Sequence, residues 1–598
     1  MWASIKFLIR PGKFGAAERG FARLGEILGA DIAEIALPQD GPVGGSFVSD
    51  LLDAQALVSS AETLTALFKR SSGNLASLDS LASHLRSVLI YGLERCSPES
   101  ARLLFGTDAI VTGCPSSRSA NHCYHLSRAG SGVSQQLAGI SFEAEASSEC
   151  VSPSADETGG GAGTNGGPIT RIIDCDGMPW FGSLNRGECE IFQLASSDLL
   201  DVDASAMTGE LSPQAYPALL PWLLFIRRAA GNRCWRNPAP RACLIVDDPL
   251  LRPRYGFLSF VTLVESMRLA EFTTTIAFIP WNWARSEAST SLLFRQNASM
   301  LSLCVHGCDH TGGEFSSTEI EVLRQKAHTA LERMRLHEHR NRVQWDRVMV
   351  FPQGVFSSAS LVALGREGYL AAVNSGISSI DCPENNRVAD LLAPASQAYG
   401  GVPLFKRHYP KDLLPFALDL FLGKQVLVAE HHTYFRSGYR DAATFAAQLK
   451  TVEPGLSWSP LGQTLRSAVQ HRVTASGNEL RAYTDEVLFS LPEHESDRCR
   501  LIKYEADPAS VSAVMVNGHE VECRFKDDRI EVEFEARGEC RVDVLRRPTA
   551  PSRTDGQGFG YSARVAARRY LSELRDDSLV ANTRSLATTI ARRIGRVF

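Results

Sequence analysis

The 598-residue chain lacks a long apolar run. Its most apolar stretch, Leu219 to Ile226, is short and carries Pro221, far from the roughly 20 residues that cross a bilayer as a helix. The opening MWASIKFLIRPGKFG holds too brief an apolar run for a signal peptide, and Arg10-Pro11 interrupts it. The expectation is a cytoplasmic protein with no transmembrane segment. The chain also lacks a strong charge of one sign. A net charge of −5 gives no basic footprint, so no nucleic-acid partner is expected. Paired C-x-x-C units are missing: 14 cysteines are scattered from Cys96 to Cys540, a pattern of reduced thiols in a reducing compartment. The Gly-rich stretch 147–168 has no Gly-Lys-Ser/Thr ending and is followed by strand-like Ile169 to Ile173. A phosphate loop should open a helix, so this stretch reads as a flexible loop. No repeat of fixed period exists beyond an alternation of strands and helices.

What is present suffices for three or four domains. Residues 1–230 read as an N-terminal α/β domain, with strands near Ile5–Ile9, Ser87–Tyr91 and Ala109–Gly113 and a β-meander over Arg171 to Leu194. Cys114 with His122 and His125 offers a nucleophile and base, but Pro115 follows directly and no acidic partner is evident, which favours a polar loop. Residues 475–547 alternate as a C-terminal β-sandwich should, with an Asn517-Gly518 turn. Residues 548–598 form a linker and a helical tail rich in arginine, with a solvated face or an anionic surface or partner as its expected contact.

Residues 240–470 repeat one theme. Buried-looking runs end in polar or aromatic residues and alternate with helical patterns. The runs end at Asp247, Trp281, His306, Pro352, Asn374 and Glu430. This predicts an α/β fold, a distorted (β/α) barrel as the central domain, with the site at the C-terminal strand ends.

Those ends carry a constellation. Imidazole is the commonest side-chain metal ligand. Asp248, His306 and His310 would make a three-ligand site with one open position, as catalytic zinc has. Successive strand side chains point to opposite faces, so Asp247 is free to be the general base. His431 or His432, at another strand end, would be the acid. Trp281 and Trp283 lie where a sugar would stack, though the same rings serve equally to close a core.

These motifs resemble those of the polysaccharide deacetylases, the NodB-homology carbohydrate esterases. Ile245-Val246-Asp247-Asp248-Pro249 stands for Thr-Phe-Asp-Asp-Gly, and His306-Gly307-Cys308-Asp309-His310 for His-Ser/Thr-x-x-His. Val350-Phe351-Pro352-Gln353-Gly354 keeps the Pro and Gly of Arg-x-Pro-x-Gly, and Val428 to His432 is similar to Leu-x-His. The resemblance implies a divalent metal, usually Zn2+, held by Asp248, His306 and His310. It implies removal of N- or O-linked acetyl groups from a carbohydrate substrate, with Asp247 as base, His431 or else His432 as acid, and Pro352 and Gly354 on the substrate side. Two departures stand out: Gly307 replaces the Ser/Thr, and Val350 replaces the Arg that pairs with the base, a charge that Arg252 or Arg254 would have to supply. The rival readings are another metal-assisted hydrolase of glycosidic or amide bonds, and a glycan-binding scaffold that keeps the metal site without turnover.

Overall fold

A computed structural model describes residues 5–10, 16–39, 41, 43–71, 75–106, 110–113, 121–145, 150–153, 169–491, 498–549 and 560–576. Cys114, most of the Gly-rich stretch and the chain beyond 576 lie outside the described residues.

The central runs become strands Arg241–Asp247 (β1), Thr274–Phe278 (β2), Leu301–His306 (β3), Trp345–Val350 (β4), Ala371–Asn374 (β5), Leu404–Lys406 (β6) and Val426–His431 (β7). They pair parallel in the order β6-β5-β4-β3-β2-β1-β7. The sheet curls until its two edges touch. His408, just past β6, donates its N–H to Leu427 O at 2.9 Å and accepts from Ala429 N at 2.8 Å, both in β7. Strand β6 has only three residues, too short to stand out as a run in the sequence.

Alternation along the strands sorts the side chains into two sets. Cys243, Ile245, Cys304, Val348, Val350, Phe405 and Leu427 form a separate interior cluster with Leu461 and Leu465 of the helix Leu461–Arg466. Leu244, Val246, Leu303, Val305, Met349 and Val428 belong to the larger cluster shared with the surrounding helices. The interior parity continues to Asp247, His306, Arg407 and His431. A period of two therefore delivers four polar side chains to one end of the barrel.

The N-terminal strands form one nine-stranded sheet. Ile32–Ala36, Ile5–Ile9, Ala56–Ser60, Ser87–Tyr91 and Cys189–Leu194 pair parallel. The meander Thr170–Cys175, Met178–Arg186 and Cys189–Leu194 continues it antiparallel, its first turn made by Asp176 at φ 49° and Gly177 at φ 80°. Ile110–Gly113 does not join this sheet. Both neighbours of Ser87–Tyr91 are taken, and it pairs antiparallel with Cys150–Pro153 instead. The helix Tyr216–Ala230 is buried along most of its length and its apolar cluster runs on into the barrel. Its Arg227 is 2% exposed and donates to Trp235 O and Phe421 O.

Beyond the barrel, a five-stranded and a four-stranded sheet share one apolar cluster that includes Leu480, Leu501, Val532, Phe489, Val514 and Val542. One pairing there, Gly477–Ala482 with Arg498–Tyr504, is parallel, where the sequence predicts antiparallel strands throughout. Residues 560–576 form a helix that does not end in solvent. It lies against the mouth of the barrel, with Tyr561 Oη donating to Asp309 Oδ2 at 2.8 Å and Asp576 Oδ2 accepting from Tyr255 Oη at 3.0 Å. No helix among the described residues is long and apolar enough to cross a membrane.

Candidate metal centre and active site

Asp247 ends β1, and its register partner on β7 is His431. Asp248 then leaves the strand at φ 82°, a conformation that costs a non-glycine residue strain and recurs at functional sites. The kink frees the second carboxylate from strand alternation. Asp248 Oδ1 faces His306 Nε2 at 3.4 Å and His310 Nε2 at 3.1 Å, and the three ligand atoms form one compact cluster.

The protonation pattern of that cluster suits a cation. His306 Nδ1 lies 3.0 Å from Val350 O. A carbonyl only accepts, so Nδ1 donates to it, and the neutral form of the ring would turn an Nε2 lone pair toward Asp248. Asp248 Oδ1 is sealed from solvent with no hydrogen-bond donor of its own. With both rings neutral, these three atoms are the donor set a divalent ion needs. Burial works against the charged carboxylate of Asp248, but His306 and His310 more than offset it and hold its pKa well below the ordinary value. Burial likewise lowers the basicity of His306, while Asp247 and Asp248 raise it by more.

The base is held separately. Arg407, just past β6, grips Asp247 with two bonds, Nη1 to Oδ1 at 2.7 Å and Nη2 to Oδ2 at 2.5 Å, and both residues are buried. Burial raises the Asp247 pKa, and the guanidinium outweighs it and keeps the carboxyl below its usual value. His431 Nε2 is 4.0 Å from Asp247 Oδ2, and its side chain is 42% exposed. Its ring lies parallel to Tyr409 at 6.4 Å.

His432 goes elsewhere. It is buried against Tyr255 and Phe257, with Nε2 3.7 Å from Asp576 Oδ2. The two adjacent histidines thus separate, one facing the base and the other bracing the C-terminal helix. Trp281 and Trp283 are both partly buried at the turn after β2. Arg285 stacks on the Trp281 ring at 5.5 Å, and Trp281 N donates to Cys308 O at 3.0 Å. Pro352 is buried beneath Gly307, whereas Gly354 is exposed at φ 69°. Cys304 and Cys308 are buried away from the triad, and the Cys308 thiol lies against Arg333.

The sequence matches no family model and no curated protein. Solved structures do match. A mutant of a CE4 family pseudoenzyme, with restored enzymatic activity, aligns at 13% identity over 38% of this chain and 68% of its own, with a TM-score of 0.25; the wild-type protein is from Bacillus anthracis. A polysaccharide deacetylase from Mycobacterium smegmatis, described in its source as putative, aligns at 14% identity over 38% and 90%, with a TM-score of 0.26. A family 4 carbohydrate esterase from Streptomyces lividans, in complex with acetate, aligns at 13% over 38% and 95%, with a TM-score of 0.21. Over that part, the chain resembles the CE4 polysaccharide deacetylases. At such TM-scores the functional reading is carried by the side chains of the site.

Both departures from the resembled motifs have a structural answer. Val350 offers its backbone carbonyl to His306, and the guanidinium comes from Arg407, just past β6. Arg252 and Arg254 do not supply it: Arg252 pairs with Glu573 at 3.6 Å, and Arg254 is exposed. Gly307 has φ 65°, and a Cβ there would lie 2.4 Å from both Glu314 Oε2 and Pro352 Cγ. A side chain there fits only if Glu314 or Pro352 shifts. The loop is steadied instead by the buried Glu314 carboxylate, which accepts from Cys308 N at 3.1 Å, Asp309 N at 2.7 Å and His310 N at 3.1 Å. Sequence reasoning missed Arg407 and Glu314. The two-residue step from Phe405 was the available signal for the first, and the carboxylate four residues after His310 for the second.

Two further clusters have ligand-type side chains. His122, Cys175 and Asp176 come together at the meander turn, where Asp176 accepts from His122 Nδ1 at 2.6 Å and from Cys123 N at 2.9 Å. His122 therefore has an acidic partner that the sequence did not reveal. Cys308, Asp309 and Glu314 also cluster, but Arg333, Tyr561 and backbone N–H groups occupy their carboxylates. Only Asp248, His306 and His310 present an acceptor left without a donor.

Proposed function

We propose that this protein is a metal-dependent hydrolase that removes an N- or O-linked acetyl group from a carbohydrate. One observation carries the reading: a donor-free Asp248 oxygen converges with two histidine Nε2 atoms beside a second, arginine-gripped carboxylate. Asp248, His306 and His310 would hold the ion. One carboxylate and two imidazoles suit Zn2+. Once bound, it would polarise the acyl carbonyl and lower the pKa of water.

The rest falls to the chain's own groups. Asp247, kept ionised and oriented by the Arg407 fork, takes the proton of the attacking water. His431, exposed at the mouth, passes a proton to the departing sugar nitrogen or oxygen. Trp281 offers a half-buried aromatic face for the sugar ring. The N-terminal unit, barrel, paired C-terminal sheets and tail, divided near 230–240, 470–475 and 547–548, are proposed as separate domains, the paired sheets forming a sandwich that braces the barrel. Arg407 removes the chief reason to favour a scaffold without turnover.

Metal analysis followed by acetate release from acetylated sugars tests the reading. About one zinc per chain with acetate release is expected. Zinc without release from any N- or O-acetylated sugar would point to one of the rival readings, and absence of metal after reconstitution would refute the site.

A further inference from the structure

The helix 560–576 turns a charged face to the barrel. Tyr561, Val565, Arg569, Glu573 and Asp576 lie along it at intervals of three and four, the spacing of one helical face. Tyr561 is bonded to Asp309, in the loop that carries His310. Glu573 forms a two-bond pair with Arg285 at 2.6 and 2.8 Å. Asp576 meets Tyr255, His432 and Arg575.

Arg569 is the exception. It is 3% exposed, its Nε is sealed from solvent without a partner, and no described residue forms an ion pair or hydrogen bond with it. The carboxylates one and two turns further along are already committed to other groups. A buried charge with no counter-charge is costly, and a guanidinium is the side chain best shaped to grip a carboxylate or phosphate through two parallel bonds.

Its position is set by its neighbours. At 1.5 Å per residue, Arg569 lies about 12 Å along the helix from Tyr561 and about 10 Å from Asp576. Those ends are fastened to Asp309, next to His310 in the chain, and to Tyr255 and His432, so Arg569 lies between these two points of the barrel rim. Arg569 is buried on the helix face that Tyr561, Glu573 and Asp576 turn to the barrel, so its guanidinium lies on the barrel side of the helix.

We propose that Arg569 forms an anion subsite at the mouth and that the substrate is an acidic acylated sugar, with a carboxylate or phosphate on the acylated unit or its neighbour. This rests on the deacetylase reading. The test uses the zinc-loaded full chain and its Arg569→Gln and Arg569→Lys variants, with melting temperatures to verify folding. Calorimetry compares a glucuronate oligosaccharide, the same oligosaccharide with its carboxyls reduced to alcohols, and a sugar phosphate. Acetate release is measured on the acetylated form of each.

One of the two anionic ligands should bind at least 10-fold more tightly than the neutral one, and which one identifies the oxyanion. The preference should vanish in Arg569→Gln and be partly kept in Arg569→Lys. Equal binding of anionic and neutral ligands by the wild-type chain would overturn the proposal whether or not a variant folds. So would a folded Arg569→Gln that keeps the full preference. An Arg569-dependent preference with no acetate released from any substrate would uphold the subsite and refute the deacetylase reading.

Discussion

Two regions of this molecule bury charged groups, and they close their accounts differently. In the paired C-terminal sheets, Lys503 meets Asp485 at 2.9 Å and Glu505 at 3.4 Å, while Arg546 meets Asp485 at 2.6 Å and Glu505 at 2.7 Å. Two cations and two anions satisfy one another. At the barrel mouth the set is open. Asp248 Oδ1 is sealed from solvent and faces only the imidazoles of His306 and His310 among the described residues, and Arg569 has no anion among them. A closed quartet is complete as folded and serves stability. An open set is complete only with a ligand, so the difference separates structure from site without reference to motifs.

The largest effects should come from the open set. Asp248→Asn should abolish metal retention and acetate release together. Asp247→Asn should keep the metal while lowering kcat by about 10³-fold, within the range for losing a general base. Metal content and turnover measured on the same samples check both, and an exchange of the two outcomes would reverse the assigned roles.

The closed quartet should behave in the opposite way. Arg546→Met leaves a carboxylate pair with only Lys503, and because Arg546 and Asp485 are 30% and 29% exposed a stability loss of about 1 kcal/mol is expected, with metal content and acetate release unchanged. Its pH dependence is also determined. Burial raises the Asp485 pKa, but Lys503 and Arg546 outweigh it and keep it below the ordinary value. A depressed carboxylate contributes stability that is present above its unfolded pKa of about 4 and is lost as the pH falls through the lower folded value. Denaturant titrations from pH 6 down to pH 3 should show this acid loss in the wild type and less of it in Arg546→Met.

Adjacent histidines sharpen the contrast. His431→Ala should lower kcat by about 10²-fold, the low end for a general acid, with little change in melting temperature, because the side chain is 42% exposed. His432→Ala should do the reverse, lowering the melting temperature by loosening the helix 560–576. A melting scan and a kinetic assay on each variant separate them. The smallest effect expected is that of Gly307→Ser, which restores the residue of the resembled motif. It places a Cβ against Glu314 and Pro352 at positive φ, so zinc affinity should fall by about 10-fold, as when a supporting partner of a ligand is disturbed. Unchanged affinity in a competition titration would show that Glu314 does not position the loop.

Much of this was legible in the sequence because it is local. Apolar runs leading to Asp247, His306 and Glu430-His431-His432 announce strands with polar tips, and a period of two puts Asp247, His306 and His431 on one face. The parallel barrel sheet follows from runs too apolar to have a wet side. What was not legible depends on closure. Nothing next to Val350 announces that its missing arginine is replaced by Arg407, because the two meet only when the short β6 reaches the barrel and His408 bridges to β7. Gly307 looks like a loss until Glu314 folds beneath it.

The sequence alone thus determined the strand tips and the identity of the metal-ligand candidates, since these rest on residue type and short-range periodicity. The tertiary structure decided which carboxylate stands open, which is gripped by an arginine, which of two neighbouring histidines faces the mouth, and that the tail helix returns to cover it. Those outcomes depend on groups up to 321 residues apart, as in the bond from Tyr255 to Asp576, and no local pattern encodes which distant charge will arrive to satisfy a buried one.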